Sequence, residues 1–526
     1  MSLSYQNLDK TKAGKKLLKG SETAKLKNLL TAQRVASYSV AGAEGWQYNY
    51  AAKAVDDDTL ALLADLAREQ QVIAKYRAIL DGAWANVGEN RMVLHHLTRG
   101  QTGKPVVVDG RDFGQFYADQ NKAIAEFAAK VHKGTIKGSS GKKFTTAVQI
   151  GIGGSDLGPR AMYLALENWA KNEKTGQRLD AWFISNVDPD DAAAVLSQVK
   201  LESTLFILVS KSGTTQETLA NENFVRETLT KAGLKADQHM VAVTSETSPL
   251  AKSPRYLASF YIDDYIGGRY SSTSAVGGAV LSLAFGPEVF ARFLAGAHEA
   301  DKAALEPAPL KNAALLDALI GVWERNALLY PYTAVLPYSQ ALSRFPAHLQ
   351  QLDMESNGKS VNRDSKKVKY GTGPVIFGEP GTNGQHSFYQ HLHQGTDTVP
   401  LQFVGFLDSQ LGTDVVIEGS TSQTKLKANL AAQIVAFAKG SKNENPNKNF
   451  VGGRPSSVLL NKKLTPETLG ALLAHFENKV MFQGLVWNIN SFDQEGVQLG
   501  KVLTKAVLAK GDMDPALKAY ADLLGV

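Results

Sequence analysis

Residues 59–80 (TLALLADLAREQQVIAKYRAIL) place apolar side chains three and four positions apart, the spacing that lines one face of an α-helix. The same periodicity runs through residues 1–110, which are expected to be helical. From residue 144 the pattern changes: the short apolar runs FTTAVQI (144–150), AWFISNV (181–187), TLFILVS (204–210) and HMVAVT (239–244) alternate with helical stretches. That alternation predicts a parallel sheet whose strands are joined by crossover helices. A helical connection near 288–330 leads to a second series, TAVLPYS (333–339), PVIFG (374–378) and VPLQFVGF (399–406). Residues 275–286 (AVGGAVLSLAFG) read as a buried helix, and residues 438–456 as a loop by composition. The expected organisation is a helical N-terminal portion (1–110), two α/β domains (111–290 and 291–505) and a helical C-terminal tail (506–526).

Composition narrows the class. The chain has 526 residues, 44% of them hydrophobic, which suffices for buried cores in two or more domains. Its apolar runs stay short of the roughly eighteen residues a membrane span needs. The Lys-rich start (Lys10, Lys12, Lys15, Lys16, Lys19) lacks the apolar segment of a secretory signal. The absence of cysteine excludes disulfides, thiolate metal sites and thiol nucleophiles, and fits a reducing cytoplasm. The net charge of +6 is spread among acidic residues, which suits a small anionic substrate and gives no reason to expect nucleic acid.

Two turns are suited to phosphate. In LFILVSKSGTTQET (205–218) an apolar run breaks into Ser210, Lys211, Ser212, Gly213, Thr214 and Thr215 before a helix-compatible stretch. Backbone N–H groups at a helix start, the helix dipole and several hydroxyls favour an anion with many acceptor oxygens. The alternative is that Ser and Thr simply cap the helix. In VQIGIGGSDLGPRAM (148–162) the dinucleotide pattern fails, because Asp156 occupies the third glycine position. Gly153, Gly154 and Ser155 can instead admit a sugar phosphate close to the backbone, or serve only as a tight strand-to-helix turn.

Acid–base candidates lie further on. Glu355 sits among Gln350, Gln351, Ser356 and Asn357 in QQLDMESNGK, where it can act as a general base or be a surface carboxylate. GTNGQHSFYQHLH (381–393) offers His386 as an acid–base group, with a metal site through His391 and His393 as the competing reading. Arg269, between glycines and hydroxyls in GGRYSSTSAVGG (267–278), can face a developing oxyanion or form an ordinary ion pair. NINSFDQEGVQLGK (488–501) contributes Gln494 and Lys501.

Taken together, GIGGSDLGP, SKSGTTQET, the Arg269 segment, QQLDMESNGK, NGQHSFYQ and the segment ending at Lys501 closely resemble, in order and spacing, the phosphoglucose isomerase family, from about residue 89 to 501. The resemblance implies two sugar-isomerase (SIS-type) doubly wound α/β domains and a cytoplasmic homodimer with neither metal nor redox cofactor. It implies reversible aldose–ketose isomerisation of glucose 6-phosphate and fructose 6-phosphate through a cis-enediolate, in glycolysis and gluconeogenesis. By motif, Ser210, Lys211, Ser212 and Thr215 would hold the phosphate, with Gly154, Ser155, Gln351 and Gln494 completing the sugar site. Glu355 would move the proton between C2 and C1, and Arg269 would stabilise the enediolate. His386, reaching across from the partner subunit, and Lys501 would assist ring opening. Ser212-Gly213, Thr273 and His391 depart from residues common among relatives, which bears on pocket shape and tolerance for mannose 6-phosphate.

Competing classes fit less of the chain. A non-catalytic sugar-phosphate sensor would lack the Glu355, His386 and Lys501 set, and a glutamine-dependent amidotransferase would need a cysteine nucleophile. An aldose–ketose isomerase needs a base for a weak carbon acid, a cation for the enediolate and an acid for ring opening.

Overall fold

The computed structural model describes residues 3–20, 26–173, 176–511 and 513–526. Five strands, Thr146–Ile150, Asp180–Ile184, Thr204–Val209, Met240–Thr244 and Ser259–Tyr261, form one sheet. Every pairing in it is parallel, and Thr146–Ile150 lies between Asp180–Ile184 and Thr204–Val209. The strands Thr146–Ile150, Thr204–Val209 and Met240–Thr244 are buried throughout, as expected of a parallel sheet covered by helices on both faces. Each of the four runs predicted here is a strand. The helix Ala275–Phe285, buried at every position, packs beneath this sheet, and Gly286 in the left-handed region ends it before Pro287 starts the next helix.

The second sheet is built on Tyr332–Pro337, Val375–Phe377, Leu401–Phe406 and Ser456–Asn461, all mutually parallel. Two strands come from the stretch expected to be helical: Ser39–Ala41 and Gln47–Asn49 pair antiparallel with each other, and Gln47–Asn49 continues the sheet along Ser456–Asn461. They cover an edge that would otherwise expose unpaired backbone groups. Helical periodicity misses them because each has only three residues. Ser456–Asn461 begins at the end of the segment read as loop; its Ser-Ser start conceals a strand whose backbone is held on both sides.

Tertiary contacts also divide the periodic stretch 59–80. Helices Asp57–Glu69 and Val72–Leu80 meet at Gln71, whose φ is +50°. The buried Gln70 amide donates to Gln6 O and Val486 O, both at 2.9 Å, so the break satisfies two distant carbonyls. The helix Pro466–Trp487 starts with a Thr465–Thr468 capping box and is buried almost along its whole length. It packs against Pro287–Ala303 and Ala313–Asn326, and one apolar core runs continuously through these helices. The chain ends in helices Gln498–Leu508 and Pro515–Leu524, the first starting earlier than the tail expected from residue 506. Among the described residues no helix is long and apolar enough to cross a membrane.

Candidate active site

In chain order, the five-stranded sheet runs second, first, third, fourth, fifth. With that order the connections leaving the first and third strands diverge, opening a crevice beyond their carboxyl ends, the usual ligand position in such sheets. The glycine turn follows Thr146–Ile150, and Ser210–Thr215 follows the neighbouring Thr204–Val209. Both phosphate-compatible turns therefore edge one crevice.

Thr215 is the N-cap residue of helix Gln216–Lys231, yet its side chain makes no capping bond. Its Oγ1 accepts instead from Ser210 Oγ at 3.3 Å, while Ser212 Oγ accepts from Thr214 N and Oγ1 at 3.2 and 3.0 Å. These hydroxyls organise the loop and leave the helix dipole directed at the crevice. Gly213 has φ +66°, and a Cβ there would stand 2.1 Å from Ser248 Oγ, so the turn requires glycine. Lys211 Nζ donates to Ile266 O at 3.1 Å with Asp264 at 3.8 Å, and burial lowers its pKa.

The glycine turn Gly153–Ser155 lies against the turn Gly268–Tyr270. A Cβ on Gly154 would come within 2.2 Å of the Gly268 carbonyl, so only glycine permits this approach, and it brings Arg269 to the crevice. Gln149 Nε2 fixes Ser155 by donating to its carbonyl at 2.7 Å.

Arg269 has no exposed surface. Its Nε donates to Ser356 Oγ at 2.7 Å, and Nη2 donates to Ser491 O at 2.7 Å and Asp493 O at 3.0 Å. Nη1 lies 3.2 Å from Glu355 Oε2, and both atoms lack an aligned hydrogen-bond partner among the described residues. A buried guanidinium with one edge anchored and one edge facing a carboxylate is preorganised for a second anionic oxygen.

Glu355 ends a π-helical stretch, Gln350–Glu355, that continues helix Phe345–Leu349. Such widened turns recur at functional sites. Gln351 precedes Glu355 by four residues; its Nε2 lies 3.3 Å from where a Gly153 Cβ would be, and its buried Oε1 lacks a protein partner among the described residues. A cavity of about 330 Å³ is lined by Glu355, Lys359, Asp493 and Gln494, and a neighbouring one by Lys211, Tyr270 and Gln494. Gln494 thus stands between Glu355 and Lys211.

The structure brings together Gly154, Ser155, Arg269, Gln351, Glu355 and Gln494, with the Ser210–Thr215 loop across the crevice. His386 ends the turn Asn383–His386 and is exposed, as is Lys501 on Gln498–Leu508. Neither is hydrogen-bonded or ion-paired to Glu355 or Arg269 among the described residues. His393 stacks on Phe437 at 3.8 Å and meets Gln433 Oε1 at 3.0 Å, which makes it a packing residue. Among the described residues no group of three or more metal-ligating side chains is gathered. Sequence reasoning assigned no part to Ser356, Lys359, Ser491 and Asp493 in holding Arg269 and the loop of Gln494. Lys359 and Asp493 stood inside the quoted motifs, but their contact spans 134 residues and has no local signature.

The two parallel sheets, the paired turns at the strand ends and the carboxylate–guanidinium site define an α/β enzyme of the sugar-isomerase class. The sequence profile described as phosphoglucose isomerase matches residues 49–521. A glucose-6-phosphate isomerase of Treponema denticola is 61% identical over 99% of this chain and 100% of its own length. One from Borreliella burgdorferi is 47% identical, covering 99% of this chain and 98% of its own. The crystal structure of a glucose-6-phosphate isomerase from Chlamydia trachomatis superposes with a TM-score of 0.93 at 43% identity, covering 99% of both chains. The chain belongs to the phosphoglucose isomerase family.

Proposed function

We infer that this enzyme interconverts D-glucose 6-phosphate and D-fructose 6-phosphate through a cis-enediolate, with Glu355 as the base. The observation that carries the reading is the unaligned 3.2 Å approach of Glu355 to the otherwise anchored Arg269, at the edge of a substrate-sized crevice. The Ser210, Lys211, Ser212 and Thr215 loop takes the phosphate, and Gly154, Ser155, Gln351 and Gln494 bind the sugar. Anchoring the phosphate places C1 and C2 at Glu355, so binding energy from a remote group is used for orientation. Glu355 takes the proton from one carbon and returns it to the other. Arg269 Nη1 meets the oxyanion formed between these two transfers.

His386 and Lys501 open the ring by relaying a proton to its oxygen, with His386 supplied by the partner subunit of a homodimer. What supports the dimer is the apolar face of the terminal helices: Leu499, Val502, Leu523 and Leu524 are between 63% and 77% exposed. The divisions 111–290 and 291–505 each hold one parallel sheet core, and the enzyme works in the cytoplasm. A coupled assay with purified protein tests the reading: fructose 6-phosphate is converted to glucose 6-phosphate, and no turnover would refute it.

A further inference from the structure

Asp493 gathers three parts of the site. Its carbonyl accepts from Arg269 Nη2 and from Lys359 Nζ, each at 3.0 Å. Its carboxylate accepts from Lys359 Nζ at 2.5 Å and from Asn490 Nδ2 at 2.7 Å. Lys359 follows Glu355 by four residues, and Gln494 is the residue after Asp493. The ion pair therefore ties the segment carrying the base to the segment carrying Gln494, and both to the guanidinium facing Glu355. The two side chains are only 16% and 17% exposed, so solvent screens their attraction less than it would a surface pair. The Lys359 main chain is held as well, its carbonyl accepting from Thr372 Oγ1 at 2.6 Å.

We propose that Lys359 and Asp493 are positioning residues for the isomerisation, a paired strut that sets how Glu355, Arg269 and Gln494 stand relative to one another. Lys359 directs two donors at Asp493 and so acts through it, not on the sugar. This rests on the isomerase reading above, in which those three residues share one substrate.

The test uses purified full-length enzyme carrying Lys359→Met, Lys359→Arg, Asp493→Asn or the Met/Asn pair, with kcat, KM for fructose 6-phosphate and a melting curve for each. Lys359→Met is expected to lower kcat about a hundredfold, the loss that follows a displacement of about an ångström, while KM changes less than about threefold. Lys359→Arg should recover most of kcat, since the charge and its reach remain. The double variant should be no slower than Lys359→Met, because two residues acting as one unit are not additive. A kcat for Lys359→Met within about threefold of the parent, or losses that multiply in the double variant, would overturn the proposal. If Lys359→Met does not fold, Asp493→Asn carries the same test: it keeps the carbonyl and the shape and removes only the charge, so a reduced kcat supports the strut and a parental one refutes it. An inactive parent would sink the isomerase reading and the strut with it, whereas an active parent with unaffected variants sinks the strut alone.

Discussion

Glu355 Oε2 stands 3.2 Å from Arg269 Nη1, while every other nitrogen of that guanidinium is committed to Ser356, Ser491 or Asp493. The arginine cannot follow the carboxylate without breaking three hydrogen bonds, one of them to the Ser491 carbonyl. In the mechanism proposed above, Glu355 would lose its charge on taking a proton, leaving the fixed cation to face the oxygen on which charge has appeared. On that reading one residue pair would couple proton abstraction to stabilisation of its product.

Glu355→Gln keeps the shape and removes the proposed base. Turnover is expected to fall by about 10²–10⁴-fold or more, the usual worth of a positioned general base, while a phosphorylated sugar-alcohol inhibitor binds nearly as before. Steady-state kinetics and calorimetric titration check both halves. Near-parental turnover would remove Glu355 from the mechanism.

Arg269→Lys retains charge but loses the fork. A single ammonium cannot reach Ser356 Oγ, two carbonyls and the substrate oxygen together, so anchoring hydrogen bonds are lost. The expected loss in kcat is about 10²–10³-fold, that of removing a preorganised oxyanion donor, with a lower melting temperature. Full activity in the lysine variant would show that charge alone suffices.

Ser210→Ala combined with Thr215→Ala removes both ends of a loop hydrogen bond and spares the helix, since Thr215 does not cap it through its side chain. Affinity for a phosphorylated inhibitor should fall about tenfold or more, at about 1 kcal/mol per lost hydrogen bond, with little change in melting temperature. Unchanged affinity, measured by titration, would place the phosphate elsewhere.

Most strands of the parallel sheets were legible as short apolar runs, Ser259–Tyr261 and Ser456–Asn461 excepted, and the site motifs because glycine, hydroxyl and charge cluster within a few positions of one another. What stayed hidden is non-local. Gln47–Asn49 is a strand because Ser456–Asn461 offers it an edge, and Gln71 breaks a periodic helix because Gln70 is drawn to Gln6 and Val486. The neighbours of Glu355 left a general base and a surface carboxylate both open, and nothing in them marked the π-helical stretch on which it lies, whose widening depends on surrounding packing. The chemistry of Arg269 could be suggested from its neighbours in sequence, but its three anchors lie 87 to 224 residues away.

Asp353, two residues before Glu355, gives the fold a pH dependence. Burial pushes its carboxyl up to about 6, with Lys479 and the Asn357 amide opposing only in part. The fold therefore favours the protonated acid: this group's contribution is fully present below the unfolded pKa near 4 and is lost as pH rises through about 6. Asp353→Asn should stabilise the protein at pH 8 by on the order of 3 kcal/mol, and hardly at pH 4, where the parent acid is already neutral. Denaturant titrations at the two pH values decide it, and an equal effect at both would refute the assignment.

The cross-subunit role proposed for His386 predicts a complementation. His386→Leu and Glu355→Gln should each be nearly inactive alone. In a two-fold symmetric dimer that pairs Glu355 of one chain with the histidine of the other, a mixed dimer has one site with both defects and one with neither. Co-expressing the two variants at equal levels should then restore about a quarter of parental activity, since half of the dimers are mixed and each has one good site of two. If His386 instead serves its own chain, every site in the mixture carries one defect and no activity returns. Differently tagged subunits, purified in tandem to isolate the mixed dimer, make the readout direct: half the parental kcat per dimer supports the shared site, and none refutes it.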